Sequence, residues 1–149
     1  MKIAFGVDPG GWELREGVKK HLEEMGHEVI DVGTQDMQNA IPYMYVGRNV
    51  AQEVTSGRAD FGVVMCGTGI GISMATNKNQ GARCAFCDSY YIARDSRIVN
   101  NANIIAMGGR ISTPEEAYEM VTAYLNAKFA GGRHAKRVDK ITAIEEGNY

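Results

Sequence analysis

The chain has 149 residues, of which 44% are hydrophobic, and this is enough for one domain with a buried core. Its formal net charge of −2 and its mixed acidic and basic residues exclude the basic surface that a nucleic-acid partner would need. The apolar stretch at the N-terminus ends at Asp8, so it is too short for a signal-peptide core or a membrane span. We therefore expect a single cytoplasmic domain over residues 1–149, with neither a membrane nor a nucleic-acid partner.

Short apolar runs alternate along the chain with longer stretches of helical pattern. The runs that predict strands are 2–7, 28–33, 61–66, 82–87 and 102–108. Helices are predicted at 12–26, 45–57, 88–101 and 113–129, and a further helix begins near Ile70. Strands separated by helices are typical of parallel sheets, and nearly continuous apolar strands indicate a sheet covered on both faces. The pattern predicts an α/β fold: a three-layer Rossmann-like sandwich with a five-stranded parallel sheet and an extra C-terminal helix.

Helix boundary signals support this order of elements. Gly26 and Gly57 follow the first and second predicted helices, and Thr113-Pro114-Glu115-Glu116 is typical of a helix N-terminus. After a Gly-Gly break, the segment 131–149 carries four basic or imidazole side chains within five residues, those of Arg133, His134, Lys136 and Arg137. This segment predicts an appended helix rather than a second domain.

The three cysteines have no export signal beside them, so we expect reduced thiols rather than disulfides. Cys84 and Cys87 form a C-x-x-C, but they lie in a predicted strand, where positions three apart point to opposite faces. With no second pair of cysteines or histidines nearby, packing is favoured over a metal site or a redox dithiol.

A glycine-rich turn, CGTGIG at 66–71, follows the third predicted strand. Cys66 ends that strand and Asp8 ends the first, and ligands of such sheets bind at the carboxyl ends of the strands. We expect the backbone N–H groups of Gly67, Gly69 and Gly71 to converge on an anion at the start of a helix, whose positive end favours a thiolate at Cys66. The spacing matches neither a Walker A loop nor a dinucleotide fingerprint. From these residues alone, Cys66 as a small buried hydrophobe remains an equal alternative.

Four motifs in order resemble ribose-5-phosphate isomerase B and its relatives, which include galactose-6-phosphate isomerase subunits and tetrulose-phosphate isomerases. They are DVGT at 31–34, CGTGIG at 66–71, NNANIIAMGGR at 100–110 and GGRHAKRV with ITAIE between 131 and 145. The resemblance implies a homodimer or homotetramer with active sites between subunits, a sugar phosphate as substrate, and neither a metal nor an organic cofactor.

The resemblance also implies a role for each site residue. Cys66 would be the base that moves a proton between carbons 1 and 2, and Asn100 would hydrogen-bond the reacting oxygen. Gly67, Thr68, Gly69 and Gly71 would line the hole for the enediolate oxygens, and Asp8 and Tyr43 would contact hydroxyls. The phosphate would be gripped by Arg133 and Arg137 of the partner subunit, with help from Arg110 and His134. Two arginines four apart on a helix do share one face, although a solvated helix surface would have the same spacing.

The chain departs from the family pattern at two histidines. The family's Asp-His after the first strand is Asp8-Pro9 here, and the histidine before Asn100 is Val99. Those imidazoles are credited with opening a furanose ring, and we expect His21 and His27 to be surface groups that do not replace them. Thr68 could relay the ring-opening proton, or the enzyme could accept only the small open-chain fraction of a pentose phosphate. A tetrose or tetrulose 4-phosphate, which cannot form a furanose, is therefore a possible preferred substrate. The alternatives are a noncatalytic sugar-phosphate-binding subunit or regulator, and a thiol redox protein.

Overall fold

The computed structural model describes all residues, 1–149, and contains five strands and six α-helices. The strands are β1 (Lys2–Val7), β2 (Glu28–Asp31), β3 (Phe61–Cys66), β4 (Cys84–Phe86) and β5 (Ile104–Gly108). The helices are α1 (Trp12–Glu24), α2 (Tyr43–Thr55), α3 (Ile70–Asn77), α4 (Tyr90–Ile98), α5 (Pro114–Asn126) and α6 (Arg133–Glu146). None of these helices is long and apolar enough to cross a membrane.

All five strands are parallel and lie in the order β2-β1-β3-β5-β4. The strand order therefore reverses between β1 and β3, which places the topological switch point beside the end of β3. The register pairs Val7 with Met65 and Cys66 with Gly108, so the carboxyl ends of β1, β3 and β5 meet at one edge of the sheet. The predicted α/β sandwich is confirmed.

Helices cover both faces of the sheet because successive strand residues point to opposite sides. On one face, Ile3, Phe5 and Val7 pack in a core shared with α1, α4 and α5. On the other face, Ala4 and Val64 pack in a second core shared with α2 and α3. The two covered faces explain why β1, β3 and β5 consist almost entirely of buried residues.

Local sequence signals fix most helix boundaries as predicted. Gly26 and Gly57 adopt φ angles of +90° and +81° just after α1 and α2, a conformation that glycine adopts without a Cβ penalty. Thr113 and Glu116 form a reciprocal capping box at the start of α5, with Pro114 at its first position. These signals are local in sequence, which is why they could be read before the fold was known.

The last helix, α6, makes few contacts with the rest of the chain. Val138 is its one buried residue, whereas Ile141 and Ile144 are exposed. Near its end, the carboxylate of Glu145 accepts hydrogen bonds from the Gly81 N–H at 3.0 and 3.1 Å. α6 therefore presents apolar side chains that no other part of the chain covers.

Candidate active site

The switch-point crevice is built from the loops that follow β1, β3 and β5. The N–H of Asp8 donates to the Met65 carbonyl at 3.1 Å, and the N–H of Gly109 donates to the Cys66 carbonyl at 2.8 Å. A third bond, from the Arg110 N–H to the Gly67 carbonyl at 2.9 Å, joins the β5 loop to the glycine-rich turn. These bonds hold the three loops in a fixed arrangement around Cys66.

Close backbone packing at Gly10 holds the first two loops against each other. A methyl group on the Cα of Gly10 would lie 2.4 Å from the Gly67 nitrogen and 2.7 Å from the Gly67 Cα. Only glycine fits at such a distance from backbone atoms. Gly10 is a site residue that was not predicted from the sequence; its one signal there is the Gly-Gly pair that follows Asp8-Pro9.

The Cys66 thiol is buried at the N-terminus of α3. Its Sγ accepts a hydrogen bond from the Gly69 N–H at 3.2 Å, and Gly69 adopts a left-handed φ of +85°. A hydrogen bond to sulfur and the positive end of a helix both stabilise negative charge on a thiol. The Gly69 N–H is thus a partner of Cys66, which corrects the expectation that it is free to bind the anion.

Thr68 is exposed on the same turn. Its Oγ1 accepts a hydrogen bond from the Ile70 N–H at 3.2 Å, so it satisfies one of the first amides of α3. The Thr68 hydroxyl donates no hydrogen bond within the chain.

Asp8 and Arg110 contribute opposite charges to this crevice. One carboxylate oxygen of Asp8 accepts from the Gly10 N–H at 2.8 Å and from the Gly11 N–H at 3.2 Å. Partial burial raises the pKa of Asp8 above its ordinary value, although these two amides and the positive charge of Arg110 oppose the shift. The Arg110 guanidinium covers Gly67, where an added methyl group would be 3.1 Å from Nη1.

Tyr43, the first residue of α2, lies beside the start of α3. Its ring faces Gly71, because a methyl group there would be 3.1 Å from both Cε2 and Cζ of the tyrosine. One chain thus brings together eight of the predicted residues: Asp8, Tyr43, Cys66, Gly67, Thr68, Gly69, Gly71 and Arg110.

The same chain does not bring Asn100 to Cys66. Asn100 precedes β5 and is exposed, and the register places Ile104 opposite Gly62, four residues before Cys66. Four strand residues span about 13 Å, so Asn100 lies at the amino edge of the sheet, at least that far from the thiol.

The predicted phosphate ligands Arg133, His134 and Arg137 also lie away from Cys66, in α6. Both ends of this segment are anchored at the amino edge: the Ala130 N–H donates to the Ile98 carbonyl at 2.9 Å, and Glu145 binds Gly81. Ile98 leads into β5 and Gly81 leads into β4. Four predicted site residues are therefore grouped at the edge opposite the thiol: Asn100, Arg133, His134 and Arg137.

The remaining cysteines pack on opposite faces of β4, as predicted. Cys87 belongs to the core on the α5 side, and Cys84 packs against the core on the α3 side. Burial raises the pKa of Cys87 to about 12 and that of Cys84 further still, so both thiols stay protonated near neutral pH. Such thiols are unsuited to redox exchange, which argues against the redox alternative.

The histidines lie outside the crevice. His21 is half-buried, stacked on Tyr118 at 5.0 Å between ring centroids and hydrogen-bonded to Thr122 at 2.7 Å. Like His27, it is partly buried rather than fully exposed at the surface, because α5 packs on that side of α1. His27 contacts the N-terminal amine at 3.2 Å.

A buried thiol among backbone amides and charged side chains, at the switch point of a parallel α/β sheet, is the arrangement expected of a site for a small anionic molecule. The chain matches the ribose/galactose isomerase family over residues 3–141. It therefore belongs to this family.

Individual relatives cover nearly the whole chain. The ribose-5-phosphate isomerase B of Escherichia coli is 44% identical over 145 residues, with 97% of each protein covered. The D-erythrulose-4-phosphate isomerase of Pectobacterium atrosepticum is 36% identical over 145 residues, covering 97% of this chain and 95% of that protein. Among solved structures, the ribose-5-phosphate isomerase B of Clostridium thermocellum superposes with a TM-score of 0.95 at 46% identity, with 100% of both chains covered.

Proposed function

We propose that this protein interconverts an aldose phosphate and the corresponding ketose phosphate, with Cys66 as the base. The observation that carries this proposal is the Cys66 Sγ at the switch point, 3.2 Å from the Gly69 nitrogen, in a chain of an isomerase family. This isomerisation needs a base beside the reacting carbons and fixed dipoles where the enediolate charge develops. A thiolate surrounded by backbone amides supplies both.

In the proposed reaction, the Cys66 thiolate removes the proton from carbon 2 of the open-chain aldose. The electron pair of that bond forms the double bond of an enediolate, whose negative charge develops on the former carbonyl oxygen. The amides of Gly67 and Gly71 stabilise this charge, and the Thr68 hydroxyl relays the remaining hydroxyl proton from oxygen 2 to oxygen 1. The Cys66 thiol then returns its proton to carbon 1 and the ketone forms at carbon 2.

The complete site combines two subunits of a homodimer or homotetramer. We assign Asn100, Arg133, His134 and Arg137 to the site of a partner subunit, since all four lie at the edge of the sheet opposite Cys66. The exposed Ile141 and Ile144 of α6 support a partner surface on this helix, because apolar side chains of this size gain from being covered. Arg133 and Arg137, one helical turn apart, then bind the phosphate together with Arg110 of the first subunit.

We further propose that tetrose and tetrulose 4-phosphates are better substrates than ribose 5-phosphate. Pro9 and Val99 replace the two imidazoles that would open a furanose ring, and a four-carbon 4-phosphate has no hydroxyl with which to close one. Pro9 also fixes the backbone beside Asp8, which narrows the pocket. The similarity to a D-erythrulose-4-phosphate isomerase supports this choice. The cytoplasmic location stays a prediction.

A coupled assay over four-, five- and six-carbon aldose and ketose phosphates tests this function. We expect turnover with the highest kcat/KM for the tetrose pair, and a Cys66→Ala variant that loses at least about a thousandfold in kcat with little change in substrate binding. Cys87→Ala is the matched control, because Cys87 lies in the core and away from the crevice. Equal kcat/KM for ribose 5-phosphate would contradict the tetrose preference alone.

A noncatalytic sugar-phosphate-binding subunit is the competing function. It predicts thermal stabilisation by sugar phosphates without turnover of any of them. The buried Cys66 disfavours it, because binding would need only the amides and arginines.

A further inference from the structure

Asn101 is the one residue other than glycine that adopts a positive φ, +50°. Asparagine tolerates this left-handed conformation better than most residues, but it is still rare for a residue with a Cβ. Residues kept in such conformations cluster at functional sites, where their surroundings hold them in place. Asn101 directly follows Asn100, which the proposed function assigns to the partner's substrate.

Two arginines hold Asn101 in this conformation. The Arg83 Nε–H donates to the Asn101 carbonyl at 2.9 Å, and the Arg97 guanidinium donates to the Asn101 Oδ1. Arg97 is itself fixed, because its guanidinium lies 4.4 Å from the centre of the Phe61 ring. Both the backbone and the side chain of Asn101 are therefore tied to neighbouring elements.

The residue after Asn101 is tied as well. The Tyr124 hydroxyl, fully buried, donates to the Ala102 carbonyl at 2.8 Å. On the N-terminal side of Asn100, only Val99 separates it from Ile98, the last residue of α4. The backbone around Asn100 is thus held by groups that precede β4 or belong to α4 and α5.

Asn100 differs from its neighbours because its own side chain is not held. It is exposed and makes no hydrogen bond within the chain. It lines an open groove of about 570 Å³, together with Arg83 and with Ile141 and Ile144 of α6. Asn100 therefore has a rigid backbone and an unbonded side-chain amide beside the surface assigned to a partner. This is the arrangement expected of a side chain that binds a substrate in the neighbouring subunit.

We infer that Asn101, held by Arg83 and Arg97, is a positioning residue that aims the Asn100 amide at the substrate bound in the neighbouring subunit. This inference rests on the proposed function, because it assigns Asn100 to that substrate. Asn101 acts through Asn100 and touches no reacting atom.

Asn101→Gly tests the inference, because glycine adopts the same φ without strain but lacks the Oδ1 that binds Arg97. We expect a loss of about tenfold in kcat, since misplacement of a substrate-binding group is costly, with KM and the melting temperature nearly unchanged. In an Asn100→Ala background, the same substitution should cause no further loss. Asn79→Ala is the control, because it likewise removes an asparagine side chain held by hydrogen bonds, here donated to the carbonyls of Ala75 and Thr76 at the end of α3.

The outcomes separate this inference from the proposed function. Two results would overturn the positioning role while isomerisation stands. One is full activity of Asn101→Gly, and the other is a loss in kcat on adding Asn101→Gly to Asn100→Ala that is as large as its loss in the wild-type protein. Full activity of Asn100→Ala would overturn it too, because Asn100 would then have no substrate to bind. If the wild-type protein turned over no sugar phosphate, the proposed function would fail. The NMR signal of the Asn100 side-chain amide would then test whether Asn101 positions Asn100. A doubled or broadened signal in Asn101→Gly would support this positioning role, and an unchanged signal would refute it.

Discussion

Gly10→Ala is expected to disable the site, although Gly10 itself is assigned no contact with substrate. The added methyl group would lie 2.4 Å from the Gly67 nitrogen, which is 1.0 Å closer than the 3.4 Å at which ordinary contacts begin. All three nearest atoms are backbone atoms of Gly67 or Cys66, so a rotamer change cannot relieve the clash. The loop that carries Cys66 must therefore move by about 1 Å relative to the loop after β1.

A displacement of this size in a catalytic loop costs on the order of a hundredfold in kcat. Overpacking of a well-packed contact also destabilises a protein by about 1–3 kcal/mol, so the variant should still fold at room temperature. Steady-state kinetics with the best substrate from the phosphate panel give kcat, and thermal unfolding confirms that the variant is folded.

Gly17→Ala is the matched control for this variant. Gly17 lies in α1, and its added methyl group would meet mainly the Tyr118 ring, with the hydroxyl oxygen at 2.2 Å, which is the far end of a side chain that can move. We expect its kcat to remain at the wild-type value. A Gly10→Ala variant that is folded and fully active would refute the reasoning, because the two loops would then not need to touch for catalysis.

Three further predictions concern the charged groups of the site. Burial raises the pKa of Asp8 above 3.8, so the folded state holds that proton more tightly than the unfolded state, and stability falls as pH rises through the folded value. Asp8→Asn should therefore unfold at a higher temperature than wild type at pH 7 but not at pH 3, and a less stable variant at pH 7 would contradict this. Gly67→Ala should displace the Arg110 guanidinium, 3.1 Å from the added methyl group, and raise KM for the phosphate more than it lowers kcat; an unchanged KM would separate Arg110 from phosphate binding. Mixing inactive Arg137→Ala and Cys66→Ala chains in equal amounts should restore about a quarter of wild-type activity, since half of the dimers then hold one intact site of two. No recovery despite proven subunit exchange would place the phosphate site within one chain.

Much of the fold follows from local sequence patterns. The order of strands and helices, the glycine ends of α1 and α2 and the capping box of α5 depend on residues close in sequence. The observed ends of helices and strands differ from the predicted ones where such signals are weak. α2 begins at Tyr43 rather than near residue 45, because Pro42 starts the helix while the exposed Tyr43 and Met44 add nothing to its apolar period. β2 and β4, the two edge strands, are shorter than predicted.

The site was predictable only in part, for a geometric reason. Asp8 and Cys66 end neighbouring parallel strands, so their proximity follows from the fold class. The position of α6 could not be predicted, because it depends on long-range contacts such as that of Glu145 with Gly81. The bond from the Gly69 N–H to the Cys66 thiol also needed the structure, because it follows from the left-handed turn at Gly69.

Proton exchange at the reacting carbon tests the role of Cys66 most directly. When the ketose phosphate that turns over best is incubated with enzyme in D2O, a thiolate base predicts deuterium at carbon 1 of the ketose and carbon 2 of the aldose, measured by NMR. The Cys66→Ala variant should leave both positions protonated over the same time, while the Cys87→Ala control exchanges at the wild-type rate. Exchange by Cys66→Ala at the wild-type rate would contradict the account, because another group would then carry the proton.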